Sequence, residues 1–209
     1  MRRRMTMTPR SRAGRPSIAS GLRDPAGLAI EPLRGRLYAV VGAHGTGAEG
    51  APDFLTRVDD AAFYGFGTAP VRKGRAARPA NPDVLLGTGL APRGLLFYTR
   101  EQMPKGLRRG AIIALAGPQS SFGAQAYKVV MVPFAEGRPS GPPQDLLTGF
   151  VKDAAAGEVY ARPLALAVAT DGTLLVADDS GTIWRVVFKC AACTPDPVPA
   201  RAHEKHPHG

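Results

Sequence analysis

The 209-residue chain has few aromatic residues, only two cysteines and no long apolar run. Aromatic residues make up 7% of it and runs of good helix formers are missing, whereas glycine (25) and proline (20) are abundant. This composition predicts an all-β protein with many turns and argues against a helical bundle. Because no stretch of about eighteen apolar residues occurs, we expect no membrane-spanning helix.

The basic start of the chain lacks the apolar segment that a secretory signal requires. Residues 1–16 contain six arginines and no acidic residue, so they carry six of the ten excess positive charges. We therefore interpret this start as a solvated extension and not as a signal peptide. A basic arm can also bind phosphates without sequence preference, which keeps a nucleic-acid-binding hypothesis open.

Cys190 and Cys193 form a C-x-x-C motif in a tail rich in proline and histidine, which we expect to be disordered. Haem attachment needs a histidine directly after the second cysteine, and Thr194 stands there. A local disulfide, two free thiols, or a zinc site completed by tail histidines are the open alternatives. We assign no metal ligand from this pattern.

The clearest pattern of strands and turns lies at 162–188. Leu164, Leu166 and Val168 alternate with small residues, and Asp171-Gly172 supplies a hairpin turn. Leu174 to Val176 form the returning strand, and a second turn precedes a third strand with the only tryptophan. The stretch predicts most of one four-stranded antiparallel sheet, as in a β-propeller blade or a sandwich.

Similar units begin near Gly27, Gly94 and Leu164, at a spacing of roughly 67 to 70 residues, and this period predicts about three blades. The strands predicted in the first two units are 27–32, 36–41, 54–58, 62–66, 94–98, 111–115, 126–134 and 146–150. Residues 67–93 are expected to be a long connection without an element of their own. The predicted organisation is a basic leader at 1–19, a partial propeller domain at 20–189 and a tail at 190–209.

Five segments in order resemble one known family. The last is the 162–188 segment, with Arg-Pro, an Asp-Gly turn, LLVADD and GTIWRV; before it come GLRDPAGLAIEP, PDFLTRVDDAAFYGF, APRGLLFY and AYKVVMVPFAEGRPSGPPQDLLTGF. They resemble the glucose/sorbosone dehydrogenases, which are six-bladed propellers built around pyrroloquinoline quinone (PQQ). The resemblance covers about residues 20–189 and only the C-terminal half of such an enzyme. It implies a partial propeller, and either a fragment or a short gene.

The resemblance also implies a chemistry. In the family PQQ lies over the propeller axis, calcium polarises its quinone, and a histidine takes the proton of the sugar hydroxyl while hydride moves to the quinone. Arg23 matches a family arginine that contacts the quinone, Arg162 a second arginine near the cofactor, and Lys128 a lysine of a GYKV-like segment. The alternative is that these are strand-end cations that pair with carboxylates such as Asp178 or Asp179. Asp24 replaces the usual asparagine, which is unfavourable beside an anionic cofactor.

Three polar segments of the family are replaced here. Residues 42–51 are glycine-rich where the family has Asn, Arg and Asp, and His44 is either a substitute or simply exposed. Gly89 stands where a family histidine is expected, and residues 116–121 keep only the glycine of another motif. The proton-accepting histidine belongs to the half that the resemblance does not cover, so no catalytic residue is assigned.

Three hypotheses follow. The first is the C-terminal part of a PQQ- and calcium-dependent sugar or aldose dehydrogenase, periplasmic or extracellular by resemblance, although a chain expressed without a signal would stay cytoplasmic. The second is a propeller fragment that has lost catalysis and serves as a binding or scaffold module. The third is a nucleic-acid binder that works through the arginine leader. A second chain that completes the ring is a further expected partner.

Overall fold

A computed structural model of the chain describes residues 17–43, 50–72, 75–104, 107–117 and 126–188. The described residues form sixteen strands and no α-helix. The strands lie in three larger antiparallel sheets and two small hairpins. The predicted all-β partial propeller of about three blades is therefore confirmed. Most of the predicted leader and the whole predicted tail lie outside the described residues, and so do His44, Cys190 and Cys193.

Blade 1 is a four-stranded sheet in the order β1-β2-β3-β6. The turn between its first two strands is held by Glu31, whose carboxylate accepts the N–H groups of Leu33 (2.7 Å) and Arg34 (2.8 Å). Gly35 completes this turn with a φ of 65°, which glycine adopts without strain. The strands are β1 (Asp24–Glu31), β2 (Arg36–Gly42), β3 (Asp53–Arg57) and β6 (Val84–Gly87).

Blade 2 is formed by β7, β8, β9 and β11, with a short strand, β10, added at a turn of β9. Every residue of β8 is buried, which fits a sheet covered on both faces. Its strands are β7 (Pro92–Tyr98), β8 (Gly110–Ala116), β9 (Tyr127–Ala135), β10 (Arg138–Pro139) and β11 (Gln144–Leu147).

Blade 3 has three described strands, β14 (Pro163–Val168), β15 (Leu174–Asp178) and β16 (Ile183–Val186), as the sequence predicted. Its two turns contain Gly172 and Gly181, with φ of 84° and 87°. The two small hairpins join β4 (Val71–Arg72) to β5 (Arg75–Ala76), and β12 (Val151–Asp153) to β13 (Glu158–Val159).

Two hydrophobic clusters hold the blades face to face. Ile113 and Val130 of blade 2 pack with Tyr38 and Val40 of blade 1 in one cluster. Alternate residues of the same blade 2 strands, such as Ile112, pack toward blade 3 in the other. Each fully buried apolar side chain of this size stabilises the fold by about 1.5–3 kcal/mol. The period-two alternation of β8 and β9 thus fixes blade 2 between its neighbours.

Two sequence predictions in blade 1 were wrong. Residues 67–93 are not a bare connection, because β6 pairs with β3 as the fourth strand of the blade and β4 pairs with β5. Residues 62–66 form no strand beside β3; Phe63 makes one isolated parallel bridge to Ser20. The N–H of Ser20 bonds to the carbonyl of Ala62 at 2.9 Å, so this segment pairs with the residues before β1.

Within the described part of the chain, no helix is long and apolar enough to cross a membrane.

Candidate functional site

The first strands of the three blades lie side by side and begin at one edge of the molecule, which we call the site edge. A Cβ added to Gly27 would lie 2.8 Å from the carbonyl oxygen of Arg93. A Cβ at Gly94 would lie 3.0 Å from that of Leu164. These residues are each two to four positions into β1, β7 and β14, so the starts of adjacent first strands lie close together. Glycine permits this close approach.

Arg162 lies at the site edge, directly before β14. Its N–H donates to Asp179 Oδ1 at 2.7 Å, and its carbonyl accepts the N–H of Asp179 at 3.1 Å. The guanidinium carbon lies 6.0 Å from the centre of the Tyr127 ring. Arg162 Nε is buried and has no hydrogen-bond partner among the described residues, since Asp179 Oδ2 is 3.8 Å away. The backbone is thus fixed while one donor of the side chain is left unused.

Arg23 lies at the same edge, directly before β1, and is exposed. Its Nη1 donates to the carbonyl of Ala43 at 3.0 Å, and its guanidinium lies over the Phe66 ring at 5.2 Å. Among the described residues the Arg23 guanidinium therefore contacts a carbonyl and an aromatic face but forms no ion pair with a carboxylate. Arg23 and Arg162 are therefore the two predicted cations that the structure presents at the first strands of blades 1 and 3.

Lys128, the third predicted cation, is the second residue of β9 and lies between blades 1 and 2. Its Nζ is 2.7 Å from Asp145 Oδ1, and its side chain is 15% exposed. The pair lines a cleft of about 340 Å³ together with apolar side chains of both blades, among them Leu90 and Leu115. Lys128 thus lies near the site edge but in a separate cleft, which the first strands do not line.

The sequence suggested Asp178 or Asp179 as partners for these cations, and only Asp179 contacts one. Asp178 Oδ1 accepts the N–H of Ser180 at 2.9 Å, and its Oδ2 accepts the indole N–H of Trp184 at 2.5 Å. Burial raises the pKa of the Asp178 carboxyl, but the bonds from Trp184 and Ser180 outweigh it and the pKa lies below its usual range. Asp178 therefore stabilises the turn between β15 and β16, and Asp179 is the residue that bonds to Arg162.

One ion pair at the site edge was missed from the sequence. Arg93 Nη1 lies 3.0 Å from Asp24 Oδ2 and links β7 to β1. The APRGLLFY segment carried the resemblance, but no role followed for its arginine. A signal was present in the sequence. Arg93 is the second residue of a first strand and lies about one repeat after Asp24, so the two charges occupy similar positions in neighbouring blades.

Of the two groups that the resemblance implies, the described residues could bind PQQ more readily than calcium. The partly exposed guanidinium of Arg162 and the exposed guanidinium of Arg23 suit the carboxylates of PQQ. In contrast, no group of three or more His, Cys, Asp or Glu side chains in the described ranges could hold a metal ion. All four histidines, at 44, 203, 206 and 208, lie outside those ranges. Gly89, where the resemblance places a histidine, has a φ of 70°, and a Cβ added there would meet no atom within 4 Å.

The comparison with solved structures identifies the fold. A calcium structure of a Trichoderma reesei enzyme of carbohydrate-active enzyme family AA12 matches with a TM-score of 0.62 at 20% identity, over 79% of this chain and 52% of that one. A glucose dehydrogenase matches with a TM-score of 0.60 at 20% identity, over 85% and 49%. The PQQ-bound aldose sugar dehydrogenase of Streptomyces coelicolor matches with a TM-score of 0.53 at 20% identity, over 88% and 47%.

The chain is part of a β-propeller. More particularly, it has the fold of about half of a sugar-dehydrogenase-like propeller, and it spans about half the length of the solved structures that it matches. No protein-family model and no curated protein sequence matches the chain.

Proposed function

We propose that the chain is the C-terminal part of a PQQ-dependent sugar or aldose dehydrogenase, and that Arg162 and Arg23 bind the carboxylates of the cofactor. The observation that carries the proposal is the Arg162 guanidinium: its side chain is 26% exposed, and it makes no hydrogen bond among the described residues, since Asp179 Oδ2 is 3.8 Å from Nε. The exposed part of a guanidinium without hydrogen bonds can donate to a carboxylate, and such charge-assisted bonds are stronger than neutral ones. The fold of the matched sugar dehydrogenases supports the same reading.

When bound, PQQ would supply the acceptor for the hydride that leaves the sugar carbon. The residues of this chain would bind and orient it. Asp179 fixes the backbone of Arg162 through the bonds at 2.7 and 3.1 Å, which limits the directions in which the guanidinium can point. Arg23 extends the positive edge to blade 1, and Lys128 adds a third cation from the cleft beside it. This arrangement would orient a flat anion across the first strands.

The second candidate function is a binding or scaffold module without catalysis. It is favoured by the ion pairs at the site edge, because Asp145 neutralises Lys128 at 2.7 Å and Asp24 neutralises Arg93 at 3.0 Å. Self-paired cations attract an incoming anion less than unpaired ones do. Gly89, at the position where the resemblance expects a histidine, also favours a module without catalysis.

The proposed enzyme would act with a second chain that completes the ring and would take a sugar or aldose as substrate. The face of blade 3 turned away from blade 2 carries Ile183, which is 69% exposed, and the neighbouring Val187, which is 70% exposed. Apolar side chains on an uncovered sheet face favour a partner. Calcium and a periplasmic or extracellular location belong to the same proposal. The leader on which nucleic-acid binding would depend lies outside the described residues.

Binding of PQQ to the purified full chain tests the proposal. Equilibrium dialysis and the thermal shift with added PQQ should both report binding. Arg162→Gln should weaken it by about tenfold or more, the worth of one charge-assisted hydrogen bond. Arg185→Gln is the matched control, because it removes the same charge from blade 3 at the ion pair with Asp171 and away from the site edge. Equal losses in both variants would contradict the assignment.

Turnover is tested separately, by dye reduction with aldoses in the presence of PQQ and calcium. The chain is assayed alone and mixed with the N-terminal half of a related dehydrogenase. PQQ binding without turnover in either assay would favour the binding module, and no PQQ binding at all would overturn the proposed enzyme.

A further inference from the structure

The ion pair between Asp24 and Arg93 joins two blades at the site edge. The residues are 69 positions apart, and Arg93 Nη1 lies 3.0 Å from Asp24 Oδ2. Neither side chain is deeply buried, at 39% and 34% exposure for Arg93 and Asp24. A pair that is exposed to this extent contributes little to stability, because water and salt screen it. An incoming anion can therefore compete with Asp24 at small cost.

The pair lies in a cleft of about 550 Å³ formed by the first strands of all three blades. Of the ten described residues that line this cleft, only Asp24 and Arg93 carry a charge. The others are small or apolar, such as Gly27, Gly94 and Leu166. The two side chains therefore set the electrostatic character of the cleft, which a change in either would alter.

A guanidinium has several N–H donors, and the bond to Asp24 involves one nitrogen of Arg93. The other nitrogen groups can bind a carboxylate, with the bidentate geometry that arginine offers. Asp24 opposes this by repelling an anion and by holding the guanidinium toward β1. The neutral asparagine that the sequence resemblance expects at position 24 would do neither.

We propose that Arg93 is a further anion-binding residue, placed in the axial cleft, and that Asp24 is its internal competitor, which lowers the affinity of the cleft for polycarboxylates. For PQQ as the ligand, the inference rests on the proposed function. For the cleft as a carboxylate site, it rests on the geometry of the pair alone. Asp24 and Arg93 thus set how tightly the site edge binds an anion.

Two probes and a double-mutant cycle test the inference. PQQ and 1,3,5-benzenetricarboxylate are dialysed against the full chain, Asp24→Asn, Arg93→Gln and the double variant, after thermal unfolding shows that each is folded. Asp24→Asn should bind both probes about two- to fivefold more tightly, the size of one partly exposed ion pair. Arg93→Gln should weaken binding, and the gain should vanish in the double variant. Glu158→Gln is the control for charge. Like Asp24→Asn it removes one negative charge, here from the exposed ion pair with Lys152 of β12, far from Asp24 in the sequence.

The outcomes separate this inference from the proposed function. If the full chain binds no PQQ but Asp24→Asn binds benzenetricarboxylate more tightly in an Arg93-dependent manner, the proposed function fails and the inference stands. A gain in Asp24→Asn no larger than in Glu158→Gln overturns the inference. A gain that persists in the double variant overturns it as well, because the binding would then not use Arg93.

Discussion

Asp53 in blade 1 holds the N–H of Ala91 at the entrance to blade 2. Its Oδ2 accepts the N–H groups of Ala91 at 2.9 Å and Leu90 at 2.7 Å, and its Oδ1 accepts that of Ala43 at 2.7 Å. The carboxylate is 1% exposed. Ala91 has a φ of 45°, in the left-handed region that costs a residue with a Cβ about 1–2 kcal/mol. The bonds to Asp53 offset this strain and fix the start of β7.

Asp53→Asn should destabilise the protein by about 2–4 kcal/mol. The amide has one acceptor oxygen in place of two, and its NH₂ group would face an N–H group that has lost its partner. Chemical denaturation followed by circular dichroism measures the change. Asp60→Asn, at an exposed position three residues past β3, is the control and should change stability by about 0.5 kcal/mol or less. Similar losses in both variants would show that Asp53 does not act as a clamp.

Ala91→Gly should stabilise the protein by about 0.5–1 kcal/mol, which is unusual for a glycine substitution. Glycine adopts the φ of 45° without the steric penalty, and this gain exceeds the entropy that the more flexible unfolded chain adds. Ala51→Gly, whose φ is not positive, is the matched control and should be neutral or slightly destabilising. Thermal melting of the two variants in parallel gives the comparison, and a lower melting temperature for Ala91→Gly would contradict the strain.

Tyr38 should make the protein sensitive to alkali. Burial, and to a smaller extent the charge of Asp83, raise the pKa of its hydroxyl to about 12. In the unfolded chain the pKa is about 10, so the folded state favours the protonated phenol. This contribution is complete below about pH 10 and is lost as the pH rises toward 12. The free energy of unfolding measured by urea titration should fall over that interval. Tyr38→Phe should reduce the slope, at the cost of the bond to the Gly137 carbonyl, and leave the part that the raised pKa of the buried Tyr98 hydroxyl contributes.

Asp178 should give the opposite dependence in acid. Burial raises the pKa of its carboxyl, but the hydrogen bonds from Trp184 and Ser180 outweigh it and the net pKa is lowered. Stability from this group is therefore present above the unfolded pKa of about 4 and is lost as the pH falls. Emission of Trp184, the only tryptophan, reports unfolding of blade 3. Asp178→Asn should be less stable at neutral pH and show a flatter profile between about pH 5 and 3; an unchanged acid slope would exclude the assignment.

The hairpins of blade 3 could be predicted from the sequence because their signals are local. Asp171 and Gly172 lie in the turn between β14 and β15, and Gly172 has a positive φ. Asp171 does not, and the turn is longer than a two-residue one, because the N–H of Ala169 bonds to the carbonyl of Thr173 at 2.9 Å. The returning strand was also predicted, and two of its residues, Leu174 and Val176, are fully buried in the structure. Arg162 was found through the resemblance and lies at the edge where the first strands begin.

The fourth strand of blade 1 could not be predicted in this way. Val84 pairs with Leu55, and residues 67–83, which precede Val84, are rich in proline, glycine and basic side chains, as in a connection. The partner strand, not the local sequence, makes residues 84–87 extended, because their backbone groups complete the hydrogen bonding of β3. Context also explains why residues 62–66 pair with the segment before β1.

The sequence by itself determined that the chain folds into antiparallel hairpins repeated about every 70 residues, since turn residues and alternation act over a few positions. Only the tertiary structure decided which charges meet. Asp24 and Arg93, 69 positions apart, become neighbours because Gly27 and Gly94 let adjacent first strands approach closely. Among the residues that the structure describes, Arg162 Nε has no hydrogen-bond partner, because Asp179 Oδ2 lies 3.8 Å away. Such pairings depend on how blades pack, which short-range patterns do not encode.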